Sequence, residues 1–95
     1  MEKKRTKVDL VGNVPPQSEQ VEQVVLAAMM LERDAISKVD LVPEVFYFEK
    51  HQKIFKAIQQ LDNEGTNIDL ITVTTHLKNS GELEAIGGPM YITQI

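Results

Sequence analysis

The sequence has 95 residues, of which 42% are hydrophobic and 25% are charged, and its formal net charge is −4 at pH 7. This length supports a single hydrophobic core, and the composition excludes both a disordered chain and a membrane-embedded one. The absence of cysteine excludes disulfide bonds, thiolate catalysis and cysteine-ligated zinc. The longest apolar run, Val24–Leu31, has eight residues, far fewer than the roughly 20 that a membrane span needs. The first dozen residues contain no apolar stretch typical of a secretory signal, so we expect a cytoplasmic protein.

Basic residues are concentrated at the start of the chain. Four of the ten Lys and Arg residues lie within the first seven positions: Lys3, Lys4, Arg5 and Lys7. Residues 8–95 therefore carry six basic and thirteen acidic side chains, and this excess of negative charge repels phosphate backbones. We predict a flexible basic tail over residues 1–13 and a folded domain over residues 14–95, with no direct contact to DNA.

The first helix is predicted over residues 18–31. Ser18 is a favourable N-cap because its hydroxyl can accept a backbone N–H of the first turn. Glu19 and Glu22 follow near the positive end of the helix dipole. Apolar residues then recur at helical spacing: Val21, Val24, Val25 and Ala28.

Two short helices and one long helix are predicted next. The first short helix covers residues 34–39, and Asp34 suits its N-cap. The second covers residues 43–48, and Pro43 suits its first turn. The long helix covers residues 49–64, and Gly65 supplies the left-handed residue that ends it. The buried face of the long helix is predicted from four apolar residues at helical spacing: Ile54, Phe55, Ile58 and Leu61.

One more helix is predicted between two clear boundary residues. Asp69 is a strong N-cap, and Gly81 is a suitable stop. Leu70, Val73 and Leu77 are spaced to lie on one face of this helix.

The last predicted helix begins at Pro89, after a turn that Gly87 and Gly88 close. No stop signal precedes Ile95, so we expect the sequence to be a piece of a longer protein. No segment has a strand pattern that outweighs its helical spacing and caps. The predicted fold class is all-α, a compact bundle of about six helices, two or three of them short.

The sequence contains little that indicates catalysis. No GxxxxGK[ST] loop for nucleotide phosphates is present. His51 and His76 lie far apart in the chain, and neither belongs to a ligand motif. We therefore expect no catalytic, cofactor-binding or metal-binding residue in this chain, and we predict that His51 helps to hold the start of the long helix against the segment before it.

A helix-turn-helix regulator is an alternative function, because the turn at residues 65–68 joins two helices. The second helix presents Thr72 and Lys78 as residues that could reach base edges. Acidic residues crowd the junction at which phosphates would have to approach: Asp62, Glu64 and Asp69. DNA recognition normally requires a basic surface, so a helical hairpin within the core is the favoured interpretation.

Surplus apolar residues indicate a role in protein association. Methionine and aromatic side chains suit adaptable contact surfaces, and these residues exceed the needs of one small core. The candidate interface consists of Met29, Met30, Phe48, Met90, Tyr91, Ile92 and Ile95.

The stretch VPPQSEQVEQVVLAAMMLERDAI resembles the opening of the bacterial replicative DNA helicases, the DnaB family. The residues of this stretch that match the family pattern are Val14, Pro15, Pro16, Glu22, Gln23, Val25 and Leu26. The resemblance continues to Tyr91 and covers residues 14–95. It departs from the pattern at Gln20, Val24 and Ala27, where the family usually has glutamate, a small polar residue and glycine.

The resemblance implies a function that composition and spacing do not show. Helicases of this family are ring-shaped hexamers that use ATP to move along single-stranded DNA and unwind the duplex at the fork. This chain would be their non-catalytic N-terminal head, which serves collar assembly and primase docking, while ATP and Mg²⁺ belong to a separate RecA-like motor domain beyond a helical hairpin. The implied partners are other helicase subunits, primase and a helicase loader. The helicase-binding domain of a primase, which has a similar helical fold, is a further alternative.

Overall fold

Helices account for all the regular structure in the part of the chain that the structure, a computed structural model, describes: residues 18–32, 34, 36 and 41–95. The α-helices are α1 (Glu19–Leu31), α2 (Glu49–Asn63), α3 (Leu70–Ser80) and α4 (Gly88–Gln94), and two 3-10 helices span Pro43–Val45 and Glu84–Ile86. The all-α prediction is confirmed. The predicted tail and most of the short helix predicted over residues 34–39 lie outside the described residues.

Helix α1 begins as predicted and buries only one side. The Ser18 hydroxyl accepts the backbone N–H of Val21 at 3.4 Å, which satisfies one of the free donors of the first turn. Leu26 and Met29 lie in the core. Val24 is exposed, although its helical spacing placed it with the apolar stripe, because it lies on the opposite side of the helix from Leu26.

Helix α2 is the central element of the domain and packs against α1, α3 and both 3-10 helices. Its predicted apolar stripe is confirmed, with Ile54, Phe55, Ile58 and Leu61 all buried. The helix ends through Gly65, whose φ of 72° lies in the left-handed region that L-residues with side chains seldom adopt.

The segment before α2 differs from the prediction. Only Pro43–Val45 is helical, and Phe46 and Phe48 have extended backbone conformations. Phe46 is buried against Phe55, with ring centroids 5.2 Å apart, whereas Tyr47 is exposed and Phe48 half-buried. The extended conformation turns two backbone N–H groups towards α1, as described below.

Helix α3 has both of its predicted boundaries. Asp69 accepts the N–H of Thr72 at 2.8 Å, and the Thr72 hydroxyl accepts the N–H of Asp69 at 2.9 Å, which forms a reciprocal capping box. Gly81 ends the helix in the left-handed conformation. Of the residues predicted on the apolar face, Val73 and Leu77 are buried, but Leu70 is 42% exposed, because it lies in the first turn at the edge of a surface cavity.

The end of the domain is a tight turn followed by α4. Gly87 and Gly88 both have positive φ, as the predicted turn requires. A side chain at Gly87 would place its Cβ 3.0 Å from the Cβ of Tyr91, so this position also needs glycine for space. The turn directs Tyr91 and Ile92 into the protein. None of the helices in the described residues combines the length and the hydropathy that a membrane span requires.

Candidate functional site: a buried polar cluster

A polar cluster joins α1, α2 and α4, whereas the other buried residues in the described part of the chain are apolar. It consists of Glu19, Glu22, Gln23, Lys50, His51 and Tyr91. At its centre, His51 in the first turn of α2 is fully buried. Its Nδ1 lies 2.7 Å from Glu22 Oε1, and its Nε2 lies 2.6 Å from Tyr91 Oη. The imidazole therefore connects the first turn of α1 to α4.

Glu22 anchors the backbone that leads into α2 from another helix. Its carboxylate accepts the backbone N–H of Tyr47 at 2.6 Å and that of Phe48 at 3.4 Å, and the residue is only 4% exposed. Phe48 is the N-cap of α2 and has no side chain that could accept a helical N–H. A negative charge at this end of α2 also interacts favourably with the helix dipole.

Tyr91 closes the cluster on the side of α4. Its hydroxyl accepts a hydrogen bond from Gln23 Nε2 at 3.0 Å and donates one to Glu19 Oε2 at 3.0 Å. Burial raises the pKa of the Tyr91 phenol, because the apolar surroundings disfavour the phenolate. The hydroxyl therefore stays protonated at neutral pH.

An ion pair between Glu19 and Lys50 forms the outer edge of the cluster. Lys50 Nζ lies 2.8 Å from Glu19 Oε2 and 4.3 Å from the centre of the Tyr91 ring, a cation–π distance. The hydrogen bond from Lys50 lowers the pKa of the Glu19 carboxyl, and the same bond raises the pKa of the Lys50 ammonium. Both side chains are partly exposed, so the pair itself contributes little to stability.

The geometry of the cluster fits a structural role. His51 has no surface through which a substrate could reach its ring, and both ring nitrogens already have partners. Within the described residues, no group of His, Cys, Asp and Glu could hold a metal ion. The structural role predicted for His51 agrees with this geometry, although its partners on α1 and α4 lie far beyond the neighbouring segment that the prediction named.

The candidate interface residues divide between the core and the surface. Met29 is 2% exposed, so its assignment to an interface is corrected: it belongs to the core, because it lies on the inner side of its helix. Ile92 is 1% exposed and also belongs to the core, and it reaches the surface only as part of the lining of a cavity. Tyr91 is engaged in the polar cluster, and the half-buried Phe48 ring packs edge-on to His51 with centroids 5.7 Å apart. Met90 is 68% exposed.

Met30 and Ile95 lie together at an apolar cavity between α1, α3 and α4. The cavity has a volume of about 280 Å³, and its apolar lining residues are Ala27, Met30, Leu31, Leu70, Ile92 and Ile95. Leu31 is 83% exposed, yet the sequence-based list of interface residues did not include it or Leu70. The position of Leu31 seven residues after Val24, on the exposed side of α1, is the signal that could have identified it.

A family model extends over nearly all of the chain. The model described as the DnaB-like helicase N terminal domain matches residues 14–95, a range that includes the whole polar cluster. The chain belongs to this family. Among the alternatives considered from the sequence, this match favours the N-terminal domain of a helicase.

Individual relatives agree with the DnaB-like assignment. The chain is 44% identical over 86 residues to a replicative DNA helicase DnaB of Rhodothermus marinus, and these residues cover 88% of this chain and 9% of that protein. It is 42% identical over 90 residues to the replicative DNA helicase DnaC of Bacillus subtilis, covering 92% of this chain and 20% of that protein. The chain thus spans a fifth or less of these relatives.

A solved structure shows the same fold. The crystal structure of the N-terminal domain of the DnaB helicase from Mycobacterium tuberculosis superposes with a TM-score of 0.79 at 40% sequence identity. The match covers 85% of this chain and 59% of that one. The arrangement of α1–α4 is therefore that of a DnaB N-terminal domain.

Proposed function

We propose that this chain is the non-catalytic head of a hexameric replicative helicase and that it serves subunit assembly in the collar and docks primase. The observation that carries the proposal is the DnaB-like family match over residues 14–95. In this proposal, ATP and Mg²⁺ act in a RecA-like motor domain outside the head. The lack of a GxxxxGK[ST] sequence in the 95 residues is consistent with that division of labour.

The apolar cavity between α1, α3 and α4 supports a docking role. Leu31 and Leu70 are large apolar residues left partly or mostly exposed at its edge, and such contiguous apolar surface is typical of protein contacts. Met30 adds a flexible, polarisable side chain that can adapt to a partner. We propose this cavity as the contact for the C-terminal helicase-binding domain of primase.

The polar cluster supports the same proposal from the inside of the domain. By joining α1, α2 and α4 through Glu22, His51 and Tyr91, it holds two of the three helices that surround the cavity in one arrangement. A surface that is rigid before binding loses less conformational entropy when its partner docks.

Calorimetric titration with the primase C-terminal domain tests the docking proposal. The head should be extended through the proposed hairpin, because the hairpin is expected to supply part of the surface. Leu31→Asp should weaken binding at least tenfold, since a carboxylate would have to lose its water in an apolar contact. Ile71→Asp is the matched control, because Ile71 is similarly exposed but does not line the cavity.

Two results would contradict the docking proposal. The first is no binding of the extended head at micromolar concentrations of the primase domain. The second is an equal loss of affinity in the Leu31→Asp and Ile71→Asp variants, which would show that binding does not depend on the cavity. Collar assembly is tested independently by the mass of the full-length helicase in sedimentation, where the proposal expects a hexamer.

A further inference from the structure

A second cavity lies at the other end of the contact between α3 and α4 from the proposed docking cavity. It has a volume of about 460 Å³, and its lining residues are Thr74, Lys78, Gly81, Leu83, Glu84 and Pro89. These residues come from the later part of α3 and the start of α4, whereas the docking cavity is lined by the first turn of α3 and the end of α4. The two helices pack against each other and therefore run antiparallel, with one cavity at each end.

The same two rows of side chains line both cavities. On α3, Leu70 lines the docking cavity, and Thr74 and Lys78 line the second one. These three residues are four apart in sequence and so form one ridge along the helix. On α4, Pro89 lines the second cavity, and Thr93, four residues later, lines the docking cavity. The two cavities are thus the ends of one depression between the two helices, which we call the α3–α4 groove.

Lys78 places a positive charge at the rim of the groove. Its side chain is exposed, and none of the ion pairs in the described part of the chain includes it. Lys50 and Lys53, by contrast, are paired with carboxylates on other helices or turns. In a chain with a formal net charge of −4, Lys78 therefore remains available to a carboxylate from another molecule.

The acidic groups of the groove restrict where a partner can carry its own carboxylate. Asp69 lines the docking cavity, where it accepts the N–H of Thr72. Glu84 lies on the opposite wall of the second cavity, and one of its carboxylate oxygens lies close to Gly88 at the start of α4. Both acidic residues would repel a further carboxylate beside them. The favourable place for a partner's carboxylate is therefore on the α3 side of the groove, at Lys78.

We propose that the α3–α4 groove receives one helix of the docking partner, with an apolar side chain in the docking cavity and a carboxylate at Lys78. This inference rests on the proposed docking of primase and names the chemistry of the segment that docks. Lys78 follows Leu70 by eight residues, a rise of about 12 Å along α3. A partner helix that lies along the groove covers this distance in about two turns, so its apolar anchor and its Asp or Glu are about seven or eight residues apart.

A helical occupant fits the groove better than an extended one. The backbone groups of the two walls bond within their own helices, and the described residues contain no strand that could pair with an extended chain. An extended segment would therefore bury backbone N–H and C=O groups without partners, which costs free energy. A helix satisfies its own backbone and presents an apolar side to the groove.

Binding of the primase C-terminal domain to immobilised full-length helicase, measured by surface plasmon resonance, tests the proposal. Lys78→Glu should lower the affinity about fivefold at low salt and less than about twofold at high salt, because salt screens an exposed charge pair. Lys56→Glu is the matched control, since Lys56 is also exposed and unpaired in the described part of the chain but lines neither cavity. It makes the same change in net charge and should alter the affinity less than about twofold.

A charge swap tests the chemistry of the partner. Single Asp and Glu residues on the helices of the primase domain are changed to lysine, and one such variant should restore its affinity for the Lys78→Glu helicase. That residue should lie about seven or eight positions from an apolar residue of the same helix. The absence of a restoring variant would overturn the proposal.

The remaining outcomes separate this inference from the docking proposal. Equal affinities of the Lys78→Glu and Lys56→Glu variants would overturn the inference, while a loss of affinity in Leu31→Asp would still support docking at the cavity. Failure of the wild-type helicase to bind the primase domain would contradict both. Loss of the hexamer in sedimentation of the Lys78→Glu helicase would assign the groove to a neighbouring subunit and would also overturn the inference.

Discussion

Removal of the Glu22 carboxylate should destabilise the domain more than any other single change in the polar cluster. In the Glu22→Ala variant, the N–H groups of Tyr47 and Phe48 lose their acceptor, and so does His51 Nδ1. His51 is fully buried, so water reaches its ring only if α1 and α2 separate. The segment that leads into α2 would lose its hydrogen bonds to α1 at the same time.

The expected loss can be estimated from these contacts. An unsatisfied buried donor costs about 1–3 kcal/mol, and the variant leaves His51 Nδ1 and two backbone N–H groups without their acceptor. Because alanine also removes the cost of burying the carboxylate, we expect a loss of about 3–5 kcal/mol. A domain of this size has about 5–14 kcal/mol of total stability, so the variant should be marginally folded at 25 °C.

Urea unfolding followed by far-ultraviolet circular dichroism measures this loss, since the described residues form helices and no strands. The urea concentration at the midpoint of unfolding should fall, while the slope of the unfolding free energy against urea concentration stays the same. This combination indicates a change in stability alone. Glu22→Gln should lose less, because its amide oxygen still accepts one bond. Gln20→Ala, on the exposed side of α1, should change stability by less than about 0.5 kcal/mol. A loss below about 1 kcal/mol in Glu22→Ala would refute the reasoning.

The same unfolding assay checks three further changes. Leu77→Ala, at a fully buried position, should cost about 2–5 kcal/mol through lost apolar contacts and a cavity; a smaller loss would show that the core closes around the gap. Gly87→Ala should lower the free energy of unfolding more than Gly81→Ala does. Both glycines have positive φ, but only at Gly87 would the new Cβ lie 3.0 Å from the Cβ of Tyr91. Equal losses of stability would contradict the steric argument. Asp69→Ala should cost about 1 kcal/mol through loss of the capping box, whereas Asp69→Ser should retain most of the stability.

Most helix boundaries could be predicted because their causes lie within a few residues. Ser18 and Asp69 bond to N–H groups three residues later, and Gly65 and Gly81 end helices through their own backbone conformation. Such signals survive any arrangement of the rest of the chain. The family could also be identified from the sequence, since the DnaB-like pattern consists of residue types at fixed spacing.

The predicted helix over residues 43–48 was wrong after its first turn for a reason that is not local. Tyr47 and Phe48 donate their backbone N–H groups to Glu22, which is 25 and 26 residues away along the chain. A helix at this place would have pointed those groups along its own axis instead. The tertiary contact therefore decides the backbone conformation.

Which apolar side chains remain on the surface likewise depends on how the helices pack. Apolar spacing shows that a residue is suited to burial, but only the neighbouring helices decide whether burial occurs. Met29 and Ile92 thus lie in the core, while Leu31 and Leu70 remain at the edge of the apolar cavity. The proposed docking surface follows from this distribution.

The sequence by itself determined the helices, most of their ends, the acidic character of the domain and its family. The tertiary structure alone decided the polar cluster, because His51 is separated from Glu22 by 29 residues and from Tyr91 by 40. No local pattern links three polar residues on different helices. Their hydrogen bonds arise only when α1 and α4 pack on the start of α2 and exclude the water that would otherwise bind each of them.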